Sequence, residues 1–185
     1  MAKIATIPNA LTALRGLGIP LFIFLALKQH ADGAAILVLI AAGATDYFDG
    51  KLARAWNQTS RLGELMDPAI DRLYIASTLI VLYLRDALPL WMLLAIIGRD
   101  LVLGVLTLAM HRKGIPPFKV TYLGKAATFN LLYAFPLLLL ALADSALGRI
   151  SFVLGWSFAI WGIALYLVTG AIYFRDGWRS IALEK

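Results

Sequence analysis

Residues 46–71 read DYFDGKLARAWNQTSRLGELMDPAID, and the rest of the chain is organised around them. Residues 34–45 are free of charge and run into Asp46, Asp49, Lys51 and Arg54 with no helix breaker, so the charged end is expected to stay helical. On a helix, positions i, i+3, i+4 and i+7 share a face, which puts Asp46, Asp49, Gly50 and Ala53 on one stripe. Asp67 and Asp71 share another. Asp67-Pro68 looks like a helix start, with a carboxylate at the cap and proline in the first turn, so residues 55–66 read as a polar connection.

These carboxylates stand in a chain built for lipid. Of 185 residues, 61% are hydrophobic and 15% charged, and the mean hydropathy is +0.81, far from a soluble average of about 45–50% apolar and about 25% charged. The sequence predicts an all-α polytopic membrane protein, a single domain over residues 1–185, with six transmembrane helices and a short N-terminal amphipathic segment over residues 7–16. Spans are expected near residues 17–28, 34–54, 67–84, 90–110, 126–142 and 152–174, with a kink at Pro136 and a short charged tail from Arg175. Cysteine is absent, which excludes disulfides and thiolate chemistry.

The net charge of +6 does not point to nucleic acid, because in so apolar a chain a basic excess belongs to cytoplasmic loops and anionic headgroups. With a cytoplasmic N-terminus, only Lys28, Arg85 and Arg149 fall outside and Arg99 lies within a span. The other basic residues are inside. This positive-inside bias places both termini and residues 46–71 at the cytoplasmic face.

Unpaired carboxylates at membrane depth cost about 2.5–3.5 kcal/mol each, so something must neutralise them. An all-oxygen aspartate set without His or Cys suits Mg²⁺, Mn²⁺ or Ca²⁺. Two such ions sharing carboxylates could clamp a phosphoryl group. A structural ion-pair network with Arg54, Arg61 and Arg72 is the plainer alternative, and for Asp67 a helix cap is another.

The pattern Asp46, two residues, Asp49-Gly50, two residues, Ala53-Arg54, eight residues, Gly63, three residues, Asp67, three residues, Asp71 resembles the full signature of the CDP-alcohol phosphotransferase (CDP-alcohol phosphatidyltransferase) family. The resemblance implies an integral-membrane enzyme that moves a phosphatidyl-type group from a CDP-linked donor to an alcohol and releases CMP. It implies that Asp46, Asp49 and Asp67 hold two divalent metals, Mg²⁺ or Mn²⁺, with Asp71 a further ligand or the general base. It also implies that Asp49, Gly50, Ala53, Arg54 and Gly63 form the CDP site.

The segments IPNALTALR, NQTSRLGELMDPAIDRLY and YLGKAATFNLLYAFPLLLL extend the resemblance over nearly the whole chain, towards an actinobacterial branch with cardiolipin synthases and phosphatidylglycerophosphate synthases. The donor implied is CDP-diacylglycerol. The acceptor implied is a lipid, phosphatidylglycerol, or else glycerol 3-phosphate, with an inositol phosphate as a third option. Relatives of this kind form homodimers in the bacterial inner membrane.

Residues beyond the motif carry two readings each. Asn9, Thr12 and Arg15 lie on the amphipathic segment and border the CDP-lipid cavity in similar enzymes. Arg99 either pairs with Asp100 or, like Arg61, binds a phosphate. Lys119 and Lys125 are either ordinary cytoplasmic cations or phosphate ligands at the cavity rim. Trp56, Trp91, Tyr122 and Trp178 read as interfacial anchors. A cation transporter is the alternative of another class, but its site would sit near the bilayer midplane, whereas all four aspartates here lie at one end.

Overall fold

The computed structural model describes residues 7–55, 61–116 and 121–183, with the side chains of 12–45, 66–67, 69–116 and 121–183 among them. The described residues form helices only, in the order α1 (Ile7–Leu27), α2 (Asp32–Ala55), α3 (Arg61–Leu84), α4 (Leu90–Arg112), α5 (Tyr122–Leu140) and α6 (Ala146–Leu183). They fall into two compact units, Met1–Arg85 and Asp86–Lys185.

In the first unit α1 packs against both α2 and α3. Phe22, Ala26, Ala35, Ile70, Tyr74, Leu79 and Leu82 are buried there. The turn after α1 is held by Arg85, which donates to the Ala26 carbonyl and pairs with Asp32 at 2.8 and 3.2 Å. One guanidinium thus joins the last turn of α1, the start of α2 and the end of α3.

In the second unit α6 packs against α4 and α5. Its buried stripe is mostly small: Gly148, Ser151, Gly155, Ala159, Gly162 and Gly170. Such residues let helix backbones approach closely. A Cβ on Gly155 would lie 3.1 Å from the Leu138 amide nitrogen of α5. The opposite faces carry Phe152, Val153, Ile160, Trp161 and Val168, all exposed, an exterior suited to lipid rather than water.

Among the described residues, three helices, Leu90–Arg112, Tyr122–Leu140 and Ala146–Leu183, are long and apolar enough to cross a membrane, and Thr12–Leu27 and Asp32–Thr45 are shorter apolar runs. These three coincide with the last three of the six expected spans.

Several boundaries differ from expectation. The amphipathic segment and first span are one helix, α1, which continues through Pro20. Asp67-Pro68 does not start a helix: α3 begins at Arg61 and passes through both residues. Cap and proline signals are local, and the preceding Leu62, Glu64, Leu65 and Met66 are good enough helix formers to extend the helix back. Asp67 is therefore not a cap. The charged tail is also helical, because α6 runs to Leu183. Nothing between Arg175 and Leu183 breaks it except Gly177, which is tolerated inside a helix at a cost of about 1 kcal/mol.

Candidate active site

The α1–α3 contact brings Thr12 and Arg15 onto the aspartates of α3. Thr12 and Arg15 lie three residues apart on α1, and Asp67 and Asp71 four apart on α3, so each pair shares a face. Thr12 Oγ1 donates to Asp67 Oδ1 at 2.7 Å. An Arg15 Nη nitrogen reaches the same Asp67 Oδ1 at 3.4 Å and Asp71 Oδ1 at 3.5 Å.

Burial in this cluster is lopsided. The Arg15 side chain is 1% exposed, whereas those of Asp67 and Asp71 are 41% and 49% exposed. The guanidinium forms the floor of the cluster, and the carboxylates form its open side. Among the described residues, Thr12 and Arg15 both contact Asp67 through Oδ1.

Tyr74 seats α1 from below. Its hydroxyl donates to the Arg15 carbonyl at 2.7 Å, and its Cα lies one turn beyond Asp71 on α3. Gly18 makes room for it, since a Cβ there would fall 2.2 Å from the hydroxyl oxygen. Neither residue was picked out by sequence reasoning. The available signal was spacing: Tyr74 follows Asp67 by seven and Asp71 by three, which keeps it on the aspartate stripe.

A second polar cluster lies in the other unit. Arg99 Nη1 donates to Asp100 at 3.0 Å, which gives the pairing reading of these two residues its contact. Tyr166 donates to the same carboxylate and lies under the guanidinium, whose centre is 4.0 Å from the ring. Gly170 leaves space for the arginine stem, because a Cβ there would meet Arg99 Cγ at 2.8 Å. One turn further on, Tyr173 accepts from the Thr121 amide at 2.9 Å, where Thr121 also caps α5 by accepting from Gly124 N. Lys125, close behind, stands 5.7 Å from the Tyr122 ring centroid. Tyr166 and Tyr173 went unnoticed in the sequence, although their spacing of seven places them on one face of α6.

The other expected site residues divide as follows. Asp46, Asp49, Gly50, Ala53 and Arg54 lie in α2, and Arg61 and Gly63 in the first turn of α3, but their side chains lie outside the described residues, as does that of Asn9. Lys119 and Trp56 lie outside them altogether. Among the described residues no three His, Cys, Asp or Glu side chains gather as metal ligands. What the described part offers is a pair of half-exposed carboxylates one turn apart, hard oxygen donors of the kind Mg²⁺ and Mn²⁺ prefer.

Comparison with known proteins identifies the family. The chain matches the model of the CDP-alcohol phosphatidyltransferase family over residues 5–168. It is 50% identical over 176 residues to a protein of Streptomyces coelicolor named cardiolipin synthase (CMP-forming), an alignment covering 92% of this chain and 82% of the relative. It is 39% identical over 171 residues to a putative cardiolipin synthase of Mycobacterium tuberculosis, covering 92% and 82%. It is 34% identical over 185 residues to a probable phosphatidylglycerophosphate synthase of the same species, covering 97% and 85%. With a family match over most of its length, the chain belongs to the CDP-alcohol phosphatidyltransferases.

Proposed function

We propose that this enzyme transfers the phosphatidyl group of CDP-diacylglycerol to phosphatidylglycerol, giving cardiolipin and CMP. The observation that carries the choice of acceptor is the 50% identity, over 92% of the chain, to a protein named as a CMP-forming cardiolipin synthase. The reading includes one membrane domain over residues 1–185 with six spans, both termini and the aspartates at the cytoplasmic face of a bacterial inner membrane, and a homodimer. The three apolar helices long enough to span and the bias of basic residues to one side in the sequence support that topology.

The reaction follows from the residues. The acceptor hydroxyl oxygen attacks the phosphorus that carries diacylglycerol, and the bond from that phosphorus to the CMP oxygen breaks. CMP leaves with the electron pair, and the hydroxyl proton passes to Asp71, the last carboxylate of the motif. Asp46, Asp49, Asp67 and Asp71 are the residues that would hold two Mg²⁺ or Mn²⁺ ions, which supply charge neutralisation at the pyrophosphate. Gly50 and Ala53 leave room for the CDP moiety beside α2, with Gly63 a close-approach position and Arg54 its anchor. Asn9 borders the cavity at the start of α1. Arg61, Arg99, Lys119 and Lys125 are the cations available to acceptor phosphates.

The purified protein in nanodiscs, supplied with Mn²⁺ and CDP-diacylglycerol, is given either phosphatidylglycerol or glycerol 3-phosphate while CMP and lipid products are followed. Cardiolipin and CMP are expected with phosphatidylglycerol. Phosphatidylglycerophosphate from glycerol 3-phosphate alone would transfer the assignment to the activity named for the relative at 34% identity.

A further inference from the structure

We propose that Arg15 is a resident counter-ion of the aspartate site, one that competes with divalent metal for Asp67 and Asp71. The inference rests on the reading of these carboxylates as metal ligands and adds a residue that sets how tightly metal is held. A guanidinium stays charged at any working pH. With its side chain 1% exposed, this one cannot turn to water, and a buried charge stripped of its partners is strongly unfavourable. Its partners are half exposed and can be solvated without it. Arg15 thus depends on the carboxylates more than they depend on it.

Two consequences follow from that asymmetry. Without metal, Arg15 offsets part of the repulsion between Asp67 and Asp71, and Thr12 fixes the Asp67 rotamer through Oδ1, so the carboxylate pair stays assembled. With metal, the cation approaches a pair already partly neutralised and feels like-charge repulsion from a guanidinium that is held in place by its burial and by the backbone bond from Tyr74. Arg15 is in this sense a positioning residue. It keeps the site formed and holds metal affinity below what bare aspartates would give.

The test is Mn²⁺ binding to the full-length protein in nanodiscs without CDP-lipid, read by electron paramagnetic resonance of free Mn²⁺, alongside thermal unfolding with and without the ion. Arg15→Met is expected to bind Mn²⁺ about tenfold more tightly than the native protein, as removal of a unit charge a few ångströms from a divalent ion implies. It should melt lower than native protein when metal-free and gain more from Mn²⁺. Arg15→Lys, which keeps the charge, should stay close to native in affinity. Arg15→Gln retains a hydrogen-bonding head and serves if the methionine variant does not fold, with tightening again expected.

A plain structural prop predicts the opposite sign, because loosened aspartates would bind metal more weakly. Unchanged or weaker binding in Arg15→Met and Arg15→Gln, with the native protein binding Mn²⁺, would overturn the inference alone. No Mn²⁺ binding by the native protein would overturn the metal reading and this inference with it.

Discussion

Gly18 and Tyr74 give the sharpest test of how α1 is seated on α3. A Cβ on Gly18 would stand 2.2 Å from the Tyr74 hydroxyl oxygen but 3.5 Å from the ring carbon that bears it, so the clash is with the hydroxyl alone. Gly18→Ala therefore displaces that oxygen and breaks its 2.7 Å bond to the Arg15 carbonyl. Overpacking costs about 1–3 kcal/mol and the lost hydrogen bond about 1 kcal/mol, while the better helix propensity of alanine offsets about 1 kcal/mol. The net loss expected is about 2 kcal/mol. Tyr74→Phe alone should cost about 1 kcal/mol. In the double variant nothing clashes and the propensity gain remains, so its stability should return to near native, a coupling of about 2–3 kcal/mol against additivity. Reversible unfolding in mixed micelles, monitored by tryptophan fluorescence, measures all four corners of the cycle. A double variant that loses about 3 kcal/mol, the sum of the two single losses, would refute the contact and with it the account of how Arg15 is placed.

Other expectations follow from separate parts of the fold. Asp71→Asn should abolish CMP release in a protein that still folds, since the amide keeps the shape but cannot take a proton, with a lowered unfolding temperature because buried Arg15 loses one of its carboxylates; turnover above a tenth of native would remove Asp71 as the base. Asp32→Asn should lower stability by roughly 2–4 kcal/mol, because it removes the carboxylate from an arginine that is 14% exposed and leaves it the Ala26 carbonyl, and unfolding in detergent would show it without a change in KM for CDP-diacylglycerol. Gly155→Ala should destabilise by about 1–3 kcal/mol, since its Cβ meets backbone rather than a mobile side chain, and a rise in melting temperature would contradict the close α5–α6 packing. Chelation of divalent ions should stop CMP release, with Mg²⁺ or Mn²⁺ restoring it; full activity after exhaustive chelation would rule out the metal reading.

Much of the architecture was legible because it depends on local pattern. Apolar runs interrupted at Asp32, Pro89 and Pro116 mark the helices, and the spacing of the aspartates alone is enough to place them on shared faces. Helix ends were less legible. Asp67-Pro68 carries a start signal, yet whether a helix begins there depends on what precedes it, and α3 begins at Arg61. Partners were the least legible of all. Thr12 and Asp67 lie 55 residues apart in the chain, and nothing in either segment announces the other. For Arg99 the sequence left pairing and phosphate binding open, and only the fold brings Tyr166, 66 residues on, to the carboxylate of Asp100.

The unbroken 38 residues of α6 have a mechanical consequence. At 1.5 Å per residue the helix rises about 57 Å, nearly twice a hydrocarbon core of about 30 Å. The surplus lies beside the stacked Phe174 and Trp178, whose ring centroids are 6.1 Å apart, and the exposed Arg175 and Arg179, side chains that favour the headgroup level. A helix with such reserve length can meet a thicker or thinner bilayer by tilting as one continuous rod together with its packed neighbours, with no loop to remodel. Changes in membrane thickness are then absorbed along the length of α6 itself.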